Sequence, residues 1–475
     1  MTASTFRAGA ARVDITAPAG THLAGDTGRY QPAQAVADRL YASAMVFESG
    51  DEKRICLLSL DVTFVSREAT EQIREAAAVR WGFDPDAIMV HATQTHSAPP
   101  VGGFLFDQEF TAIPPELEWL RGGESHFDKI AIEGAIEAIG LAVEKLQPAR
   151  IGAGSAMQSG LAFNRRAIAR GGYAIMPWPY ARKDKPLGAT EIRYMEGPAD
   201  PEVGVLCVRD ESMNIIGMLL NFTSHPVNMY YHRTSEGAKP IISADWPGAW
   251  AESVQHTTGA ACVPVVLNGA CGNINPWPAF EPNFTPDHRH MGRTLAQATE
   301  RTIDRIEFSS TGALEYRTKT IQLPLRTVDA EKLAEAKQLL EQHPTPLYNA
   351  SDPQRIDWNW YQAGMTISLD LEQRRDGTMP YEIQVMRICD TAFVGLPGEP
   401  FVEGQLHIKT YSPAHFTYVV HATSHFVGYI PTREAFPHGG HEVNHSWWAK
   451  LEPEALDTIV DEALGMLEDI FQANP

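Results

Sequence analysis

What most constrains this chain is a join that keeps recurring. A short apolar run of strand length stops, and a ligand-type or hydrogen-bonding side chain follows within a few residues. The run Ala392-Phe393-Val394-Gly395-Leu396 ends at Pro397-Gly398, and Glu399 comes next. Proline and glycine break regular structure, and an apolar run of this length bounded by them reads as a buried strand. The run at 55–60 ends on Asp61, and the run at 87–92 opens into Thr93-Gln94-Thr95-His96-Ser97. Others lead from 215–222 to His225, from 262–267 to Asn275, and from 416–420 toward Tyr429. Polar groups delivered at strand ends are how open α/β sheets assemble sites. The expected class is therefore α/β, with mixed sheets flanked by helices.

Helix signals fill the intervals. Ser66 caps a helix that runs to Trp81 and stops at Gly82, the usual start and stop chemistry. Ser125 and Asp128 open another, whose Ile132, Ile136, Ile139, Val143 and Leu146 keep one face at helical spacing. Further helices are expected over 245–259, 287–306, 329–340 and 452–471. Strands are expected over 6–15, 42–47, 203–208, 314–325 and 381–388. Residues 160–201 are rich in Pro, Gly and aromatics and read as a long irregular segment. No repeat, low-complexity tract or clean linker divides the chain, so 1–475 is expected to be one domain.

Charge excludes some functions. The formal net charge is −20, whereas backbone binding of nucleic acid needs clustered Lys and Arg. Nucleic acid is excluded as a partner, and adhesion to anionic membranes is disfavoured. No run nears the roughly 18 apolar residues that span a bilayer. The opening Met1 to Arg7 has no basic segment followed by an apolar core, so no signal peptide is expected. Five scattered cysteines include no CxxC pair, which gives no cysteine zinc motif and points to a reduced, cytoplasmic protein.

Two imidazoles and a carboxylate around an open position form a zinc-hydrolase set. His96, His225 and Glu399 supply those donor types, although a histidine taken singly is more often an ordinary hydrogen-bonded residue than a ligand. Tyr429, between Gly428 and Pro431, is a placed side chain in a turn. Asp61 and Asp245 read either as groups that orient imidazoles or as turn and helix-entry residues. His438, His441 and His445 could bind substrate, hold a second metal or lie in a solvated loop. Cys271 reads as a buried or loop cysteine without a base.

The motifs then resemble, in order and nearly end to end, the N-terminal catalytic domain of the neutral (non-lysosomal) ceramidase family. The resemblance rests on AGAARVDIT from Ala8, Thr95-His96-Ser97 with Pro99, Asn164-Arg165, Ser224-His225-Pro226, SADWPG from Ser243, GNINP from Gly272, LPGEPF from Leu396 and GYIPTREAF from Gly428. It implies a zinc ion on His96, His225, Glu399 and Tyr429, and a catalytic role for Arg165 and Asn164 beside Glu399. The family loop reads THTHS, and Gln94 stands here in place of one histidine. The family serine of GDVSP is replaced by Asn275, which cannot attack a carbonyl.

The reading that follows is a zinc-dependent hydrolase in which metal-activated water cleaves an amide (C–N) bond. Asn275 would orient substrate or stabilise the oxyanion. The chain ends without the family's immunoglobulin-like C-terminal domain, so the expected substrate is a small amide or other acyl compound rather than ceramide. The Pro/Trp-rich stretches at 176–179 and 357–360 are expected to narrow the pocket. A metal-dependent esterase, lactonase or lyase, or a non-catalytic zinc protein, is the alternative. A homo-oligomer is possible.

Overall fold

Apolar runs fully covered by neighbours form the centre of the molecule. In this computed structural model the described residues are 6–25, 32–50, 53–177, 191–229, 233–234, 237–238, 240–281, 284–353 and 355–472. The signal-peptide reading of Met1 to Arg7 falls largely outside them, as do Trp178 and Pro179 of the first Pro/Trp-rich stretch.

The main sheet contains β1 (Arg7–Asp14), β2 (Tyr41–Glu48), β3 (Arg54–Leu60), β4 (Ile88–Ala92), β5 (Gln147–Met157), β6 (Glu202–Asp210), β7 (Ile215–Phe222) and β8 (Val263–Asn268). Their order is β8-β7-β6-β5-β1-β2-β3-β4. Both edge pairs, β3 with β4 and β7 with β8, are parallel, while the strands between them are antiparallel. The sheet curls until its edges meet: Asn268 N–H donates to His91 Nε2 at 3.1 Å, and Ser59 Oγ to the Val266 carbonyl at 2.7 Å. That closure brings the loops after β4, β7 and β8 together.

A second sheet has β9 (Leu314–Pro324), β10 (Thr378–Ile388), β11 (Thr391–Gly395) and β12 (Phe416–Val420), in that order. Here β11 and β12 run parallel, so Glu399 and Tyr429 leave the sheet on the same side. The helices are α1 (Arg67–Trp81), α2 (Ser125–Glu144), α3 (Asp245–Thr258), α4 (His288–Ile303), α5 (Ala330–Gln342), α6 (Trp358–Arg375), α7 (Val402–Tyr411) and α8 (Ala455–Gln472). Ser66 does cap α1, accepting from Ala69 N–H, and Gly82 closes it at φ 70°.

Two expectations need correction. The buried stripe of α2 is Phe127, Ala131, Ala135, Ile136, Ala138, Ile139 and Ala142, whereas Ile132 and Val143 are half-buried. Small alanines win because they let the helix lie closer to the sheet than branched side chains would. Residues 160–201 are not wholly irregular: Ala167–Ala169, Ala174–Ile175 and Ile192–Met195 form a three-stranded sheet. The stretch 357–360 begins α6, with Asp357 as its cap accepting from Asn359 and Trp360 N–H, and Trp358 borders the cavity described below.

Core anchoring holds the site loops still. Phe222 at the end of β7 packs edge-on to Trp246 of α3, ring centroids 5.7 Å apart, and Trp246 and Trp250 are wholly buried. Burying one Phe-sized side chain contributes roughly 1.5–3 kcal/mol, against roughly 1–2 kcal/mol to order a residue's backbone. The cluster therefore offsets the ordering of several residues of the loop that carries His225. Among the described residues, no helix is long and apolar enough to cross a membrane.

Candidate functional site

Glu399 and Tyr429 are thirty positions apart in sequence yet face each other in a short parallel ladder, Glu399 opposite Tyr429 and Pro400 opposite Ile430. Glu399 N–H donates to the Gly428 carbonyl at 2.8 Å. The approach needs glycine: a Cβ at Gly398 (φ +72°) would stand 2.6 Å from that same carbonyl. The turn read from Pro397-Gly398 thus serves to press the two site segments together.

His225 follows β7 by three residues. Its N–H donates to the Ile274 carbonyl at 3.0 Å, and its ring Nδ1 lies 2.6 Å from the Cys271 carbonyl and 3.1 Å from that of Ile274. Asn275 pairs with Phe163 in a second short ladder, and Arg165 N–H donates to the Asn273 carbonyl at 2.8 Å. His96 N–H donates to the Pro226 carbonyl at 3.1 Å. Each loop is tied to another by its backbone, so side-chain positions do not depend on exposed segments.

Carbonyls accept only, so the proton of His225 sits on Nδ1 and Nε2 carries a lone pair. That lone pair faces Glu399 Oε2 at 3.1 Å. Burial, then the Arg165 charge, pushes the His225 pKa well below the imidazole range, so the ring is neutral. Burial and the neighbouring His225 push half-buried His96 down to about 3, and the two rings meet edge-on at 5.4 Å. Burial raises Glu399, with the Arg165 charge pulling the other way. Burial and the Glu399 charge raise Tyr429, keeping its phenol protonated.

A buried cation borders this group. Arg165 Nη1 lies 3.5 Å from both ring nitrogens of His225 and 3.4 Å from Asn275 Oδ1. Its guanidinium carbon is 5.3 Å from the Tyr429 ring centroid. Its Nε donates to Glu442 Oε1 at 2.6 Å, and Arg166 Nη1 donates to Glu442 Oε2 at 2.6 Å. Burial opposes ionisation of Glu442, but the two arginines outweigh it and hold the carboxyl down to about 2. Among the described residues, Asn275 Nδ2 and Arg165 Nη2 are buried without an acceptor.

Part of this group borders a cavity of about 490 Å³, whose wall includes His96, Arg165, Asn275, Glu399, Tyr429 and His441. Among the described residues, no group of three or more His, Cys, Asp and Glu stands ready to hold a metal ion. What converges is His225 with Glu399, then Tyr429, with His96 beside them. Neutral imidazole and a carboxylate are donors that suit zinc, a bound cation would favour the phenolate of Tyr429, and two lone pairs facing at 3.1 Å call for a positive charge between them. On that chemistry the donor set fits a cation.

Other sequence candidates lie elsewhere. Asn164 does not reach the cavity: its amide donates to the Pro198 carbonyl at 3.1 Å and accepts from Arg166 N–H at 3.0 Å. Asp61 accepts from Tyr41 N–H at 3.0 Å and borders a different cavity. Asp245 accepts from Met229 N–H at 2.7 Å and Trp246 N–H at 2.6 Å, which shapes the loop after His225 without touching an imidazole. His91 is spent on the His421 carbonyl and Asn268 N–H. His438 bonds Glu196 at 2.7 Å, and of the three late histidines only His441 borders the cavity.

Gln94 is wholly buried with φ +65°. Its Oε1 accepts from Cys271 Sγ at 3.3 Å, and its amide is close enough to Glu399 to lower that carboxyl's pKa. Gln94 therefore sits against Cys271 and Glu399. Glu442 was missed by sequence reasoning; a carboxylate between His441 and Val443 gave no local sign of its two arginine partners.

The family model described as neutral/alkaline non-lysosomal ceramidase, N-terminal, matches residues 6–263. The chain belongs to that family. Two solved ceramidase structures share its fold. One is described as the crystal structure of neutral ceramidase from Pseudomonas aeruginosa, with a TM-score of 0.71 and 17% identity over 99% of this chain and 75% of that one. The other, "Ceramidase complexed with C2", gives 0.70 and 17% over 99% and 76%. No curated protein matches the sequence. The mixed α/β class read from the strand-end joins is that of the ceramidase fold, and the family is one of hydrolases.

Proposed function

We propose that the chain is a zinc-dependent hydrolase of amide bonds, formed by residues 1–475 acting as one catalytic domain, with a substrate smaller than ceramide. The carrying observation is the pair His225 Nε2 and Glu399 Oε2, two lone-pair atoms 3.1 Å apart on a neutral ring in a ceramidase-family site. His225, Glu399 and Tyr429 would hold the metal, with His96 beside them. When bound, zinc lowers the pKa of a water toward neutrality and polarises a carbonyl.

The chain's own groups do the rest. Asn275 Nδ2 and Arg165 Nη2, buried donors without acceptors among the described residues, supply hydrogen bonds to a carbonyl oxygen as it gains charge. Glu442 fixes the Arg165 guanidinium by the 2.6 Å bond to Nε, leaving Nη2 for substrate. His225 Nδ1 keeps its proton on the Cys271 carbonyl, which sets the ring's tautomer. Phe64, Phe104 and Phe426 line the same cavity and keep bulk water from the amide.

The test is a panel of fatty-acyl, short-acyl and aryl amides, with the matching esters, given to the zinc-loaded protein and to Glu399→Ala. Amide turnover by wild type, lost with the metal in the variant while circular dichroism is unchanged, is the expected result. Ester cleavage without amide cleavage, or collapse of the fold on substitution, would overturn it.

A further inference from the structure

Two aromatic clusters line the cavity of the reacting centre, and one of them ends at an exposed side chain. On one side Tyr429 meets His441 at 5.4 Å between ring centroids, His441 meets Trp448 at 5.7 Å, and Trp448 meets Trp358 at 5.7 Å. Tyr429 and Trp448 are buried, His441 is exposed, and Trp358 at the end of the row is 51% exposed. On the other side Phe64, Phe104 and Phe426 contact one another at 4.6–5.1 Å. Arg355, three residues before Trp358, borders the same cavity.

Charge singles out this rim. Among the described residues, the fixed charges on the cavity wall are Arg165, Arg355 and Glu399, two cations against one anion in a chain of net charge −20. Arg165 is deep and engaged by Glu442. Arg355 faces Asp352 at 3.6 Å, and both side chains are substantially exposed, 33% and 49%. An exposed pair of this kind contributes little, so an incoming carboxylate can compete with Asp352 for the guanidinium and gain a forked, charge-assisted contact.

We infer that the substrate is an anionic amphiphilic amide. Its apolar body lies between the two aromatic walls, and Arg355 reads a carboxylate at the end remote from the scissile bond. This rests on the amide-hydrolase reading for the bond cleaved, but the recognition of charge is separable from it. A neutral lipid amide would leave Arg355 without a role. A short polar amide would leave the outer aromatic wall without one.

The test uses dodecanedioic acid monoanilide and its methyl ester, which share length and differ by one charge. Binding is followed by tryptophan fluorescence, and aniline release is followed separately. Wild type should bind the acid about tenfold or more tighter than the ester, the scale of a charge-assisted hydrogen bond. Arg355→Met should bring acid affinity down to that of the ester, and Arg355→Lys should keep part of the preference. Acid-selective binding without aniline release would uphold the inference and remove the hydrolase reading. Equal affinity for acid and ester in wild type, or a preference that survives in Arg355→Met with an unchanged melting curve, would overturn the inference.

Discussion

His225 Nε2 faces Glu399 Oε2 at 3.1 Å, while the other ring nitrogen is already donated to the Cys271 carbonyl at 2.6 Å. Both facing atoms are acceptors, and both residues are buried. A proton or a cation between them is what relieves the contact. Glu399→Gln keeps the shape and removes the charge. Its zinc content should fall to a small fraction of wild type, and kcat/KM for an amide should drop by about three orders of magnitude. Metal analysis and kinetics on one preparation check this; full zinc occupancy in the variant would contradict it.

Glu442 stabilises the site at neutral pH and stops doing so in acid. Burial opposes its ionisation, yet Arg165 and Arg166 hold it from 4.5 down to about 2. A depressed carboxyl pKa contributes stability above the unfolded value, and that stability is lost as pH falls through the folded value. The contribution should therefore be present above 4.5 and decline toward about 2. Glu442→Gln leaves two buried guanidinium groups short of a partner, at a cost of about 3–5 kcal/mol. Denaturant unfolding at neutral and acid pH should show the variant weaker at pH 7, with a flatter acid limb.

Asn275 is expected to act on the transition state more than on binding. Its Nδ2 has no acceptor among the described residues, so Asn275→Ala removes that donor together with the Oδ1 that lies 3.4 Å from Arg165 Nη1. A fall of about 10²–10³ in kcat with little change in KM is expected. A loss confined to KM would make Asn275 a substrate-binding residue only.

Cys271 is a tempting nucleophile, four residues before Asn275, and the structure argues against it. The thiol is wholly buried and its pKa is pushed well above the usual value by burial and the Glu399 charge. It donates to Gln94 Oε1 at 3.3 Å. Cys271→Ala should therefore keep its metal and turn over within about threefold of wild type, since a buried thiol is inert. Complete loss of turnover with metal retained would revive the thiol.

How far the sequence could be read depended on the range of the interaction. Leu396 to Glu399 announces itself because an apolar run, a turn and a carboxylate are local, and His225 and Tyr429 follow the same join. Tertiary facts had no such sign. Nothing near Asn164-Arg165 distinguishes Arg165, which reaches the cavity, from Asn164, which spends both ends of its amide on the Pro198 carbonyl and Arg166 N–H. The start of α6 was missed because Trp358 and Trp360 drew the reading toward the pocket, whereas the local helix sign was the cap at Asp357. The alanine stripe of α2 was hidden because isoleucines dominate any pattern based on hydrophobicity.

One experiment addresses the central claim most directly. Zinc content and amide turnover are measured on the same wild-type sample before chelation, after chelation and after addition of stoichiometric zinc. The account predicts that turnover disappears with the metal, that circular dichroism is unchanged, and that zinc restores the rate. Undiminished amide turnover by the metal-free protein would contradict it.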